Sequence, residues 1–237
     1  MTQHTNNTKS AHIDELIQRA GKALSDRNYF EAERVALRAL GMARESRDYE
    51  RMGRLGPTLL DARRKRLQQA LDTKTLHIVD EPFNEDFEIE PGCYLIVPIL
   101  VGADARRLRL LAWQREIPVA TLCCEPETRL GLWPVVAVTP GYTMRTHVEP
   151  PEDPDHPDAD WLAWAMEQLG DFAIESIDDA LEPHRRVETL LERLDALPEH
   201  ESLNQAFIDA CCDAHREQVE AARRKADKAD KAASRSQ

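Results

Sequence analysis

The residue of this chain best suited to covalent chemistry is Cys124, which ends an apolar run and is followed by Glu125 and Arg129. A thiolate near an arginine is stabilised, and a carboxylate beside it would orient a base, as nucleophilic catalysis by cysteine requires. The base itself is missing from the local sequence: His77 or His147 would have to approach in space. Cysteine is also among the most buried residue types, which favours a packed thiol. Gly102 and Asp104, in Val101-Gly102-Ala103-Asp104, form the other candidate, because a helix starting there could hold an anion at its N-terminus. One glycine is neither a dinucleotide fingerprint nor a phosphate loop, since both need several glycines for backbone amides to approach phosphate. The plainer roles are a tight turn for Gly102 and a helix cap for Asp104.

Two charged segments could bind ions. Glu149 to Asp160 holds Glu152, Asp153, Asp155, His156, Asp158 and Asp160, but it has no glycine for a sharp bend and Pro157 stands where a calcium ligand should be. Four prolines make it a stiff connection instead. Arg63-Arg64-Lys65-Arg66 is the one basic cluster. Four successive residues point around most of a helix, so the expected role is a solvated face. The functional alternative is that Arg63, Arg64 and Arg66 receive an acidic segment, either a partner's tail or this chain's own residues 149–160.

The elements that must position these residues emerge from periodicity. Leu76 to Val79 and Cys93 to Leu100 are short apolar runs rich in β-branched residues. Ala105, Leu108, Leu111 and Ala112 come next at helical spacing, then Pro118 to Cys123 supplies another strand, giving a strand, helix, strand crossover. Pro134 to Val138 and Thr143 to Val148 flank Pro140-Gly141 and suggest a hairpin. In an open α/β sheet a ligand crevice lies at the carboxyl ends of the strands. There the order of elements places Gly102, Asp104, Cys124 and Arg129. After the acidic loop, Trp161, Trp164, Ala165, Leu169, Phe172 and Ala173 form a helical stripe that Pro183 is expected to end. Val187, Leu190, Leu191 and Leu194 form the next, and Ser202 with Gln205 suggests a capping box for a third.

At the other end, Ile13, Leu16, Ile17, Ala20 and Leu24 lie on one helical stripe, and Ala32, Val35, Ala36, Ala39, Leu40 and Ala43 on a second. The polar residues Asp26, Arg27 and Asn28 separate them, so the two stripes can face each other. The segment Arg27-Asn28-Tyr29-Phe30-Glu31-Ala32 resembles the turn of a tetratricopeptide repeat. Tyr29 stands where that family packs an aromatic, and Ala20, Ala32 and Ala39 where it uses small residues. Leu16 replaces the family's early aromatic, Ala20 its glycine, and its terminating proline is absent. A second unit is expected to begin at Asp48-Tyr49 and to be interrupted at Gly56-Pro57. The resemblance covers residues 12–72 and implies a surface for another protein, for a second copy of this chain, or for this chain's own sheet and acidic helices.

Composition sets the class. The chain has 237 residues, 42% of them hydrophobic, and a formal net charge of −12. Residues 1–75 carry a net +5 while residues 149–201 carry −14. That acidic total excludes nucleic acid as the main partner. No run reaches the length of a membrane span. Five cysteines without Cys-x-x-Cys spacing give neither a disulfide framework nor a zinc ribbon, which points to a reducing cytoplasm. The expected fold is α/β, with α+β as the variant. Its parts are a disordered stretch over 1–10, a repeat-like helical region over 11–72, a small α/β unit over 73–150, an acidic helical region over 151–215, and a frayed or disordered tail over 216–237. Two functions are consistent with this reading. One is an interaction or scaffold protein without catalysis; the other is an enzyme or small-molecule binder at the strand-end crevice. No cofactor and no metal is expected.

Overall fold

The computed structural model describes the backbone of residues 2–235 and the side chains of residues 8–229. Met1, Ser236 and Gln237, which the sequence assigns to disordered ends, lie outside the described residues. Three helices open the chain: α1 (Thr2–Ser25), α2 (Tyr29–Glu45) and α3 (Tyr49–Leu71). The α/β part comes next as β1 (Leu76–Val79), β2 (Gly92–Ile96), α4 (Gly102–Gln114), β3 (Val119–Cys124), β4 (Trp133–Val138) and β5 (Thr143–Val148). Three more helices close it: α5 (Ala159–Glu175), α6 (Pro183–Ala196) and α7 (Glu201–Arg235). The fold is mixed α/β, as its sequence patterning indicates. Both terminal stretches that composition assigns to disorder are helical where described, since α1 begins at Thr2 and α7 reaches Arg235. Neither stretch contains a proline or glycine to stop a helix.

The two turns between α1, α2 and α3 are built alike. Arg27 and Arg47 take left-handed backbone, with φ of 60° and 53°. The N–H of Asn28 donates to Ala23 O and that of Asp48 to Ala43 O, both at 2.9 Å, while Arg27 N–H and Arg47 N–H reach Leu24 O and Arg44 O at 3.0 Å. These paired bonds satisfy carbonyls that a helix end leaves open. Asp48 then caps α3 by accepting from Arg51 N at 3.1 Å. The turn before Tyr49 thus repeats the turn before Tyr29. Gly56-Pro57 does not break the third helix, contrary to expectation: α3 is continuous through both residues. Losing one backbone bond at Pro57 costs about 3 kcal/mol, and burial of Leu55 and Leu59 offsets it. Gly56 is where α7 crosses α3; a Cβ there would overlap the Ile208 side chain, and one at Gly53 would lie 3.3 Å from Cys211 Cβ.

The sheet has strand order β1-β2-β3-β4-β5, with β1, β2 and β3 parallel and β4 and β5 antiparallel. Strand β2 is buried throughout, as expected of a parallel strand covered on both faces. On one face Cys93, Leu95, Ala120, Leu122, Val135 and Met144 join the core built with the helical layers. On the other, Tyr94, Ile96 and Cys123 pack with Ala105, Leu108 and Ala112 of α4. The link from β1 to β2 carries no helix. Phe83 and Phe87 of that link cover the α4 face, and Arg107 and Arg115 donate to their carbonyl oxygens at 2.7 Å each.

The closing helices correct three expectations. Helix α5 ends at Glu175, and Pro183 starts α6 at its first turn, where a missing N–H costs nothing. The buried stripe of α5 is Ala159, Leu162, Ala165, Leu169 and Ala173, whereas Trp164 and Phe172 are 41% and 37% exposed. Small residues face inward because α5 lies close against its neighbours. The cap of α7 is His200, not Ser202: Nδ1 of its imidazole accepts from Leu203 N at 3.2 Å.

Candidate ligand cavity between the helices

The stripe Tyr49, Met52, Leu55, Leu59 on α3 continues at the same spacing to Arg63, Arg66 and Ala70. Both arginines are therefore carried into the interior, where they are 6% and 5% exposed. Glu33 arrives by the same rule on α2, three residues after Phe30 and four before Leu37, and is 2% exposed. Its Oε1 accepts from Arg63 Nε at 2.8 Å and its Oε2 from Trp113 Nε1 of α4 at 2.9 Å. Arg66 Nη2 lies 2.9 Å from Oε2 and 3.5 Å from Glu199 Oε1. The Phe30 ring lies 5.0 Å from the Arg66 guanidinium carbon, so the buried aromatic of Asn28-Tyr29-Phe30 supports the charge network, while Tyr29 is only partly covered. Asn204 of α7 completes the cluster. Its Oδ1 accepts from Arg63 Nη1 at 3.0 Å, and its amide donates to Pro198 O and His200 O at 2.8 Å each.

Burial alone would raise the Glu33 carboxyl. The guanidinium groups of Arg63 and Arg66 and the Trp113 hydrogen bond outweigh it and hold the group below its ordinary value. Taking such charges out of water is expensive, and well-packed apolar residues of similar volume are often as stable. The cluster is also incomplete, because Arg66 Nε is buried without a hydrogen-bond partner.

These residues form part of the wall of a cavity of about 330 Å³ among α2, α3, α4, α6 and α7. Leu37, Leu40, Leu110, Leu191, Leu194 and Phe207 supply apolar wall; Arg109 and Gly41 also border it. Arg109 donates to the backbone oxygen of Asp195 at 2.6 Å. No carboxylate among the described residues pairs with it, since the Asp195 side chain is engaged by Arg106 at 3.0 Å. Burial pushes the Arg109 guanidinium below its ordinary value; Glu199 and Asp195 oppose the fall, and Arg106 and Arg63 add to it. At the exposed position 41, a Cβ would meet nothing within 4 Å.

The residues singled out in sequence are not brought together here as a group. Arg63 and Arg66 meet Glu33 and Glu199, not residues 149–160, while Arg64 stays exposed beside Asp61 and Glu201. The solvated-face expectation therefore holds for Arg64 and Lys65 only. Gly102 packs close to β4, where a Cβ would lie 2.9 Å from Val138 Cγ1. Asp104 Oδ2 accepts from Val101 N at 3.0 Å, which is the capping role. Cys124 is 3% exposed, its Sγ contacts Glu125 O at 3.6 Å, and burial pushes the thiol up to about 12, opposite to what a nucleophile needs. Glu125 pairs with Arg145 at 2.7 Å, while Arg129 is exposed. His77 stacks on Tyr94 and His147 is exposed on the edge strand β5. In the acidic loop, Asp153 accepts from Asp155 N and Asp158 caps α5, so these carboxylates close turns.

One acidic group has no signal in sequence because it forms only in space. His200 Nε2 lies 3.1 Å from Glu167 Oε2 and 3.5 Å from Asp171 Oδ1. The geometry would suit a cation, but the ring's tautomer opposes it. Nδ1 accepts a backbone N–H, so the neutral ring carries its proton on Nε2, the atom a metal would need bare. The signal for the interior cluster was present: Glu33, Arg63 and Arg66 lie on apolar stripes at helical spacing. Glu199, Arg109 and Trp113 could not be placed there from sequence. No helix among the described residues is long and apolar enough to cross a membrane. Comparison with family models, with curated proteins and with solved structures finds no match, so what the cavity does is argued from its own chemistry.

Proposed function

We propose that this protein is a non-catalytic binding protein that takes a small molecule into the cavity among α2, α3, α4, α6 and α7. The observation that carries the reading is the set of buried charges on that cavity's wall, Glu33, Arg63, Arg66 and Glu199, with Arg66 left partly unsatisfied. The volume of about 330 Å³ lies at the lower end of ordinary ligand sites, and an apolar wall with a few convergent polar groups is their usual composition. Gly41 adds support. A glycine inside a helix costs about 0.5–1 kcal/mol relative to alanine, and here its missing side chain leaves the cavity margin open. The test is thermal shift against small organic acids, phosphate esters, amines and neutral compounds, on the wild type and on Gly41→Leu. A saturable rise in Tm that Gly41→Leu removes supports the reading. No stabilising compound, or equal binding by Gly41→Leu, overturns it.

A second reading keeps the interaction role that the repeat-like helices imply, with a second copy of this chain as the partner. Its support is α7, which continues to Arg235, while Ala214 is its last buried residue among those whose side chains are described. Cys212, His215, Val219, Ala222 and Ala226 recur there at alternating spacings of three and four, and Val219 is 53% exposed. An uncovered helix of this kind is marginal in water. Sedimentation of the full chain should give a dimer that Val219→Glu converts to monomer; a monomer at all concentrations removes this reading.

A further inference from the structure

We infer that the ligand of this cavity is an organic oxyanion, a carboxylate or phosphate group on an apolar body, with Arg109 as its principal contact. The inference rests on the proposed binding role and gives it a substrate class. Four guanidinium groups, Arg44, Arg63, Arg66 and Arg109, border the cavity together with two interior carboxylates, Glu33 and Glu199; Arg44 lies at the exposed margin and pairs with Glu188 at 2.5 Å. Arg63 and Arg66 share Glu33, and Glu199 reaches Arg66 only at 3.5 Å. Arg109 is the cation left over. It makes one hydrogen bond, to a neutral carbonyl, and its remaining donors have no carboxylate among the described residues. Asp195, whose backbone oxygen takes that bond, has its carboxylate engaged by Arg106 at 3.0 Å.

A guanidinium presents a planar set of donors that fits the two oxygens of a carboxylate or phosphate, and such charge-assisted pairs are the strong hydrogen bonds of protein sites. Arg109 is half-buried at the wall of an apolar cavity, and an incoming anion would take the donors that no carboxylate among the described residues occupies. The rest of the ligand is apolar by the same reasoning. Leu37, Leu40, Leu110, Leu191, Leu194 and Phe207 offer it no hydrogen bonds, so an oxyanion at one end and a hydrocarbon body at the other match the wall. Ammonium ligands are disfavoured because both interior carboxylates already face arginines.

The test uses the full chain and four probes of similar size: octanoate, phenyl phosphate, octylamine and octanol. Binding is followed by calorimetry at neutral pH in the wild type, Arg109→Met, Arg109→Lys and Gly41→Leu. Octanoate or phenyl phosphate should bind and the amine and alcohol should not; which anion is tighter tells carboxylate from phosphate. Arg109→Met should weaken the anion by about 10- to 100-fold, the range of a lost charged hydrogen bond, with Arg109→Lys in between. Unfolding of each variant by urea, read by circular dichroism, separates lost affinity from lost structure. If octanol or octylamine binds as well as octanoate and Gly41→Leu blocks it, the oxyanion inference fails while the cavity remains a binding site. Anion binding unchanged in a folded Arg109→Met also overturns it. If none of the four binds, both the inference and the binding role are overturned for ligands of this size.

Discussion

Glu33 of α2 and Arg63 of α3 meet at 2.8 Å in the interior, where each is under a tenth exposed, and Trp113 of α4 donates to the other oxygen of the same carboxylate. One side chain thus ties two helices of the N-terminal layer to the helix on the far side of the sheet. Removing its charge leaves Arg63 buried without a counterion and Arg66 with only the longer contact to Glu199 at 3.5 Å. Glu33→Gln should therefore destabilise the chain by about 3–5 kcal/mol, read as a fall in the urea midpoint. Replacing all three partners by apolar residues, Glu33→Leu with Arg63→Met and Arg66→Met, should recover most of that loss. A triple variant less stable than Glu33→Gln would show that the cluster stabilises the fold outright.

Acid should act through the same group. The folded Glu33 carboxyl lies below the ordinary 4.5, so the unfolded chain binds protons first as the pH falls. Its contribution is complete above about pH 5 and is lost as the pH drops through 4.5 toward the folded value. Glu167, lowered chiefly by its hydrogen bond to His200, acts in the same window. Urea midpoints should be flat from pH 6 to 8 and decline below pH 5; Glu167→Gln should flatten part of the decline.

Thiols set the alkaline limit. Burial raises Cys93 from 9.0 to about 11, and Cys123, Cys124 and Cys211 from 9.0 to about 12. The unfolded chain ionises first as pH rises, so this stability is present below 9 and is lost between 9 and the folded values. At neutral pH a thiol reagent should modify Cys212, the exposed one, quickly. The other four should react only on unfolding, and Cys212→Ser should abolish the fast phase. A fast reaction at Cys124 would restore it as a nucleophile candidate.

Two glycines on neighbouring helices should respond oppositely. Gly41 faces open space within a helix, and Gly41→Ala should stabilise by about 0.5–1 kcal/mol. Gly56 faces Ile208, so Gly56→Val should destabilise by about 1–3 kcal/mol through overpacking. Ile208→Ala in the Gly56→Val background should return part of the loss. Additive effects of the two substitutions would show that the pair does not touch.

The secondary-structure elements are written in local sequence. Alternating and helical periodicities report which face of a segment is apolar, and that is local information: the crossover helix α4, the β4–β5 hairpin and the turn before Tyr29 stand where patterning puts them, and β2 does too, though it ends at Ile96 and the apolar run on to Leu100 is not strand. Locality also explains what escaped it. Whether Gly56-Pro57 breaks a helix depends on Ile208, some 150 positions on, which fills the space the glycine leaves. Arg63 and Arg66 read as a charge cluster because their stripe could not be called interior until Glu33 and Glu199 were found to meet them. Cys124 read as a nucleophile or a packed thiol, and only the sheet's two covers decided for the thiol. Periodicity reports that a face must be covered. What covers it, and whether a cavity remains between the covers, is set by long-range packing among helices that have no common signal in sequence.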